Sequence, residues 1–343
     1  MPKHIAVLPC DGAGKEVVPE GIKVLRAAGA DFEFEEFDVN ADSYLRTGVA
    51  IPSDVWRELQ GADSILFGAV GDPRVPDPNY LAGVLLRLRF ELDLYVNLRP
   101  ARLYDDRLSP LRREDRRQVD LMIVRENTEG LYVGMGGRFK KGSEHEIATQ
   151  EDVNTYGGVT RIIEHAFGIA EREVVMVDKS NAMTFAGGLW QERWKAVAAA
   201  HPRIKTRHLY VDAAAMQLVK DPGQFEVIVT GNLFGDILSD LTAELVGGMG
   251  IAPSANINPS TGRGLFEPVH GTAPDIAGEG LVNPVGAILS AAMMVRHLGV
   301  PDMADAIEGA VESAIRAREC TRDIGGELST AQAGDAIVKR LRD

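Results

Sequence analysis

The chain is poor in cysteine: Cys10 and Cys320 are the only two among 343 residues, far apart and in no CxxC or metal-ligand spacing. That excludes a disulfide framework and points to a reducing compartment. Long hydrophobic runs are also missing. The longest, Val285 to Val295, falls well short of the roughly 20 residues of a membrane span and reads as a core helix. The opening MPKHIAVLP is interrupted too early for a secretory signal and reads as a first strand. Cations are outnumbered, with 37 Lys and Arg against 50 Asp and Glu, and the net charge of −13 argues against nucleic acid as a partner. The expectations are a cytoplasmic protein with no membrane and no nucleic-acid partner. Any anionic ligand then needs a local cluster of arginines.

What is present is enough for a large core: 45% of the residues are hydrophobic, and the length favours two domains over one. Strand-like runs (His4 to Leu8, Ser64 to Phe67, Leu121 to Val124, Val174 to Val177, Phe225 to Thr230) alternate with helical patterns (Glu16 to Ala28, Pro52 to Gln60, Val159 to Ala170, Leu189 to Ala200). This alternation predicts an α/β architecture with sheets flanked by helices. Cys10 to Glu16, CDGAGKE, is a tight strand-to-helix turn. It lacks the third glycine of the dinucleotide fingerprint, so a Rossmann GxGxxG fold is not expected.

Gly231 to Asp240, GNLFGDILSD, carries the most chemistry. It follows a buried strand and sets Asp236 and Asp240 four residues apart on one helical face. Two ionised carboxylates there repel unless a cation lies between them, and a hard divalent ion needs only one or two carboxylates plus substrate oxygens and water. The alternative is a helix cap at Asp236 and a solvated Asp240. Tyr210 to Met216, YVDAAAM, places Asp212 in an otherwise apolar segment, where a lone carboxylate is costly unless paired or metal-bound.

Leu81 to Tyr104 reads as a helix with an apolar stripe of Leu85, Leu88 and Leu92, then a strand bearing Arg99 and Arg102. Arginine suits bidentate carboxylate recognition; for Arg87 and Arg102 a surface role is the simpler reading. Polar groups end two further strands: Arg125, Glu126 and Asn127 in one, Asp178, Lys179 and Asn181 in the other. Ligands of open α/β sheets bind at such strand ends. Lys179 is either a surface charge or a base tuned by its surroundings. Gly134 to Thr149 looks like a protruding hairpin or arm, and Leu265 to Gly278 like a Gly/Pro loop. Its Asp275 either caps a turn or accepts the ribose hydroxyls of a nucleotide.

In this order, DGAGKE, LRLRFELDLYVNLRP, VRENTEGLY, VDKSN, GNLFGDILSD and FEPVHGTAPDIAG resemble the β-decarboxylating dehydrogenases of (R)-2-hydroxy acids, the isocitrate and isopropylmalate dehydrogenase family. The resemblance runs from about Ile5 to the C-terminus. It implies a two-domain α/β fold, with residues 1–94 and 247–343 forming the cofactor-side domain. Residues 95–246 would form an inserted domain that carries the arm, 134–149, and the interface of a homodimer with shared active sites. It further implies that Arg89, Arg99 and Arg125 clamp the carboxylates of a malate-type substrate. Asp236 and Asp240 hold Mg²⁺ or Mn²⁺, with Asp212 from the partner subunit completing the metal and substrate site. Lys179, also from the partner, takes the proton of the 2-hydroxyl, and Tyr132 returns one to the enol. His270, Gly271, Asp275 and Asn283 form the adenosine pocket of NAD.

Leu85 and Leu86, with Ala182 near the lysine, offer an apolar surface to the substituent at C3. Burial there is worth roughly 0.8 kcal/mol per CH₂, whereas a carboxylate would be unpaired. An alkylmalate is therefore favoured over a tricarboxylate, and because AGGLW and the early LLRLRFELD resemble 3-isopropylmalate dehydrogenases of actinobacterial type, 3-isopropylmalate, and with it leucine synthesis, is the expected substrate. D-malate or tartrate is the alternative, since those dehydrogenases share the Leu-Leu pair and Ala82 stands where many isopropylmalate enzymes carry glutamate. A non-catalytic regulatory subunit is a further alternative, but such subunits lose some of these residues and none is missing here.

Overall fold

The computed structural model describes residues 2–342; Met1 and Asp343, the outer ends of the expected first domain, lie outside the described residues. The strands in chain order are β1 (Lys3–Cys10), β2 (Phe32–Glu36), β3 (Ser64–Ala69), β4 (Val96–Arg102), β5 (Asp120–Glu126), β6 (Gly136–Phe139), β7 (Ile147–Gln150), β8 (Glu173–Asp178), β9 (Lys205–Tyr210), β10 (Val227–Thr230), β11 (Pro253–Asn258) and β12 (Arg263–Pro268). One ten-stranded sheet has the order β2-β1-β3-β12-β11-β4-β5-β10-β8-β9, and β6 and β7 form a separate hairpin. The α/β reading holds.

Strands β3 and β8 are buried at every position. That is the mark of parallel strands covered on both faces, and both pair in parallel with neighbours. The edges are different. β2 (FEFEE) and β9 (KTRHLY) carry charged residues that face solvent, which discourages pairing with another sheet. Antiparallel pairs occur in the middle, where β11 joins β12 and β4, and β4 joins β5. Within the sheet the two flanks meet at the short ladder Ala255↔Leu98, Asn256↔Asn97, Ile257↔Val96.

Val285–His297 is the core helix expected from its apolar run, buried on nearly every side against β11, β12 and the helices Gly14–Ala27 and Pro301–Arg316. Truncating one of its fully buried side chains, such as Ile288→Ala, would cost about 2–5 kcal/mol. Among the described residues no helix is long and apolar enough to cross a membrane. Both cysteines are free and buried.

Four readings change. Leu265–Pro268 is not loop but the end of β12. β11, β2 and β9 were not foreseen as strands. The helix of the Leu81 region is broken: α-helical at Pro78–Leu81, a wider π turn at Ala82–Leu86, then α-helical again at Arg87–Glu91. Asp212 lies in the first turn of the helix Val211–Lys220 with its side chain 63% exposed, so no apolar surroundings act on it.

Candidate active site

Strand geometry assembles the site. In β4, Asn97 and Arg99 point to one face and Leu98, Pro100 and Arg102 to the other, because side chains alternate along a strand. Asn97 lies opposite Arg125 of β5 in register, so Arg99 and Arg125 share that face. The helix Asn232–Val246 packs over it and brings Asp236 and Asp240 down onto the arginines. It can approach because position 235 is glycine: a Cβ there would meet the Arg125 side chain at 2.6 Å.

The contacts are specific. The Arg125 guanidinium is buried, donates from Nε to Asn232 Oδ1 at 3.0 Å and pairs with Asp236. Arg99, also buried, donates to Ser239 Oγ at 2.8 Å and lies 3.5 Å from Asp236 and 3.3 Å from Asp240. Tyr132 donates its hydroxyl to Asp236 at 2.6 Å, with the Arg125 guanidinium 5.2 Å from its ring. Arg89 is held by Glu267 of β12 at 2.9 Å, both side chains being 7% exposed. Asn256 donates to the same glutamate at 2.8 Å. The Nε atoms of Arg89 and Arg99 are buried with no hydrogen-bond partner, so each arginine has unused donor capacity.

Electrostatics follow from this crowding. Burial, then Arg99 and Arg89, push Arg125 down to about 10, still cationic at neutral pH. Burial would raise Asp236, but Arg125, the Tyr132 hydroxyl and Arg99 outweigh it and hold the carboxyl below its usual range. Asp240 goes the other way: burial, with Asp236 close by, raises it against the pull of Arg99. Tyr132 is raised by burial and by its bond to Asp236. Asp236 therefore stays ionised, while Asp240 would hold its charge more readily with a cation beside it.

Lys179 and Asp212 form a second group. They pair with each other, and this contact holds the Asp212 carboxyl below its usual range. Among the described residues no hydrogen bond or ion pair joins either to Asp236, Asp240 or the arginines, and no three acidic, His or Cys side chains gather as a metal site. Ala182 is exposed, its N–H bonded to the Lys179 carbonyl. Leu85 packs on the core of the first flank, and Leu86, half-buried, stands one helical turn before Arg89. Arg87 and Arg102 are surface residues, paired with Glu91 and Glu312.

At the β12 end, His270 Nδ1 donates to the Gly271 carbonyl at 2.9 Å while its Nε2 is buried without a partner. Burial lowers the His270 pKa, keeping the ring neutral. Asn283 is buried and donates to Asp323 at 2.9 Å. Gly271 and Asp275 are exposed on the loop between them. Sequence reasoning missed Asn232, Ser239 and Glu267 as holders of the three arginines. The first two lie inside GNLFGDILSD, where the polar residues flanking the aspartates were the available signal.

Comparison with known proteins places the chain among oxidoreductases that act on a CH–OH group. Residues 4–337 match the isocitrate/isopropylmalate dehydrogenase family, and the chain belongs to it. The 3-isopropylmalate dehydrogenase of Thermobifida fusca is 47% identical over 348 residues, covering 99% of this chain and 98% of its own. That of Rhodococcus erythropolis is 44% identical over 342 residues, covering 98% and 99%. Among solved structures, isocitrate dehydrogenase from Methylococcus capsulatus superposes with a TM-score of 0.92 at 36% identity, covering 99% of this chain and all of that one.

Proposed function

We propose that the chain catalyses NAD- and divalent-metal-dependent oxidative decarboxylation of 3-isopropylmalate, the leucine-pathway reaction, in the cytoplasm. The observation that carries this reading is the pairing of Arg99 and Arg125 with Asp236, of Arg99 with Asp240 and of Tyr132 with Asp236, with Arg89 close enough to act electrostatically on Arg125 and Tyr132. Three cations, two of them with an unpartnered Nε, suit a dicarboxylate, and relatives 44–47% identical are named for 3-isopropylmalate. Leu86 beside Arg89 gives the C3 substituent an apolar neighbour, which suits an isopropyl group and disfavours a third carboxylate.

Asp236 and Asp240 are hard oxygen donors and would hold Mg²⁺ or Mn²⁺, filling two of about six coordination positions. When bound, the metal supplies Lewis acidity and NAD supplies the hydride acceptor. The protein's own groups do the rest. The arginines bind and orient the carboxylates, Lys179 takes the proton of the C2 hydroxyl, and Tyr132 gives one to C3 of the enol left by CO₂ loss. His270, Gly271, Asp275 and Asn283 would line the adenosine pocket.

Lys179 and Asp212 reach this cluster from a second copy in a homodimer. Met216, Val219 and Ile237, on the helices that carry Asp212 and Asp236, and Phe139 and Ile147 of the hairpin are each about half or more exposed, apolar side chains that a second copy would cover. The division into residues 1–94 with 247–343 and residues 95–246 follows the sheet, in which strands of the two parts meet only at the three-pair ladder between β11 and β4. The direct test is kcat/KM for NAD reduction with 3-isopropylmalate, D-malate and tartrate side by side. A preference of about tenfold or more for isopropylmalate is expected, and Leu86→Ala should lessen it. A preference for D-malate or tartrate would overturn the substrate, and no reduction with any of them the activity.

A further inference from the structure

Among the described residues no side-chain hydrogen bond or ion pair joins CDGAGKE to a proposed substrate, metal or cofactor residue, yet it braces the segments that carry them. We propose that Glu16 is a positioning residue for the cofactor: its carboxylate fixes the loop bearing Gly271 and Asp275. This rests on reading that loop as the adenosine pocket.

The loop from Val269 to Leu281 has little regular structure. Its internal backbone bonds are confined to one short turn, Ile276 and Ala277 to the Ala273 carbonyl and Glu279 to Ile276. It is held from outside by the turn that opens the Gly14–Ala27 helix. Ala13 N–H donates to the Thr272 carbonyl at 2.8 Å, and position 12 must be glycine: its φ is +49°, and a Cβ would lie 2.2 Å from the Thr272 oxygen. Glu16 then takes the far end of the loop. One carboxylate oxygen accepts the Gly278 N–H, and the other accepts the Gly280 N–H at 3.0 Å. A charged acceptor shared by two amides is stronger than two neutral bonds. Gly278 and Gly280 both have positive φ (+86° and +68°), which glycine adopts without strain. On the other side of the same turn, buried Asp11 accepts from Gly71 N–H at 2.9 Å and from the OH of Tyr80, in the first segment of the broken helix that carries Leu86 and Arg89, at 2.6 Å. Two acids of one motif thus brace the cofactor loop and the substrate helix.

The test compares wild type, Glu16→Ala and Glu16→Gln. With 3-isopropylmalate saturating, Glu16→Ala should raise KM for NAD about tenfold, with kcat and KM for isopropylmalate within about twofold. Glu16→Gln, with a single amide oxygen to serve two N–H groups, should fall between. In the protein without cofactor, hydrogen exchange at Gly278 and Gly280 should speed up about tenfold in Glu16→Ala and stay unchanged in the central helix. An unchanged KM for NAD, an equal loss in all three parameters, or unchanged exchange at these glycines would each overturn the role of Glu16. A wild type that turns over isopropylmalate with another acceptor but not NAD would instead remove the cofactor reading, and the proposal with it.

Discussion

Tyr132 and Arg125 meet on one carboxylate: the phenol donates to one oxygen of Asp236 at 2.6 Å and the guanidinium takes the other. The tyrosine is thereby held beside the arginines proposed to clamp the substrate, with its proton in place and its pKa raised, so it is neutral at physiological pH and able to donate. Tyr132→Phe keeps the ring over Arg125 and removes only the hydroxyl. A fall in kcat of about a hundredfold is expected, with KM for isopropylmalate little changed and the melting temperature within a few degrees. Steady-state kinetics and thermal unfolding check this; a near-normal kcat would contradict it.

The arginines separate into working and surface groups. Arg99→Lys keeps the charge but loses the planar fork that reaches Ser239 and both aspartates, and should raise KM for isopropylmalate about tenfold or more. Arg102→Ala, three residues on and facing the other side of the sheet, removes an exposed pair with Glu312 and should change KM and stability by little, under about 1 kcal/mol. Equal effects of the two would deny Arg99 its place.

Much of this was legible before any fold was known, because close neighbours in sequence carry the chemistry. Asp236 and Asp240 share a helical face by spacing alone, and Arg87 and Arg102 were recognisable as surface residues. The holders of the arginines were harder to see. Glu267 pairs with Arg89 across 178 residues, a contact no local pattern reveals. β11 hid for the opposite reason to the charged edge strands: its Ser254, Asn256 and Asn258 are buried yet polar, because Ser254 and Asn256 accept from Asn97 of β4, Asn256 also from Asn127 just after β5, and Asn258 donates to Asp93. A polar strand in the middle of a sheet breaks the hydrophobicity rule. Asp212 was singled out for its apolar neighbours in sequence, but in the fold its side chain is exposed at the start of a helix that buries Ala214 and Leu218, and it pairs with Lys179.

Glu126, 2% exposed, sits between Arg125 and Asn127 and accepts from the Thr128 and Glu129 amides. Burial nonetheless raises its pKa from 4.5 to about 7. A carboxyl raised on folding stabilises the fold below its unfolded pKa, and that contribution is lost as pH rises from about 4.5 through 7, on the order of 3 kcal/mol in all. Glu126→Gln, always neutral, should match wild type near pH 5 and be the more stable by several degrees near pH 8. Parallel melting curves across this range would show that Glu126 does not titrate there.

The division of the site between two copies can be tested by mixing two inactive chains. Lys179→Ala keeps the arginines and aspartates but lacks the base; Asp236→Ala lacks the metal ligand but keeps the base. If Lys179 serves the partner's cluster, a mixed dimer has one complete site of its two. Random reassociation makes about half of the dimers mixed, so activity should return to about a quarter of wild type. Each variant alone should stay inactive. No recovery from protein shown to have exchanged subunits would contradict the shared site at the centre of this account.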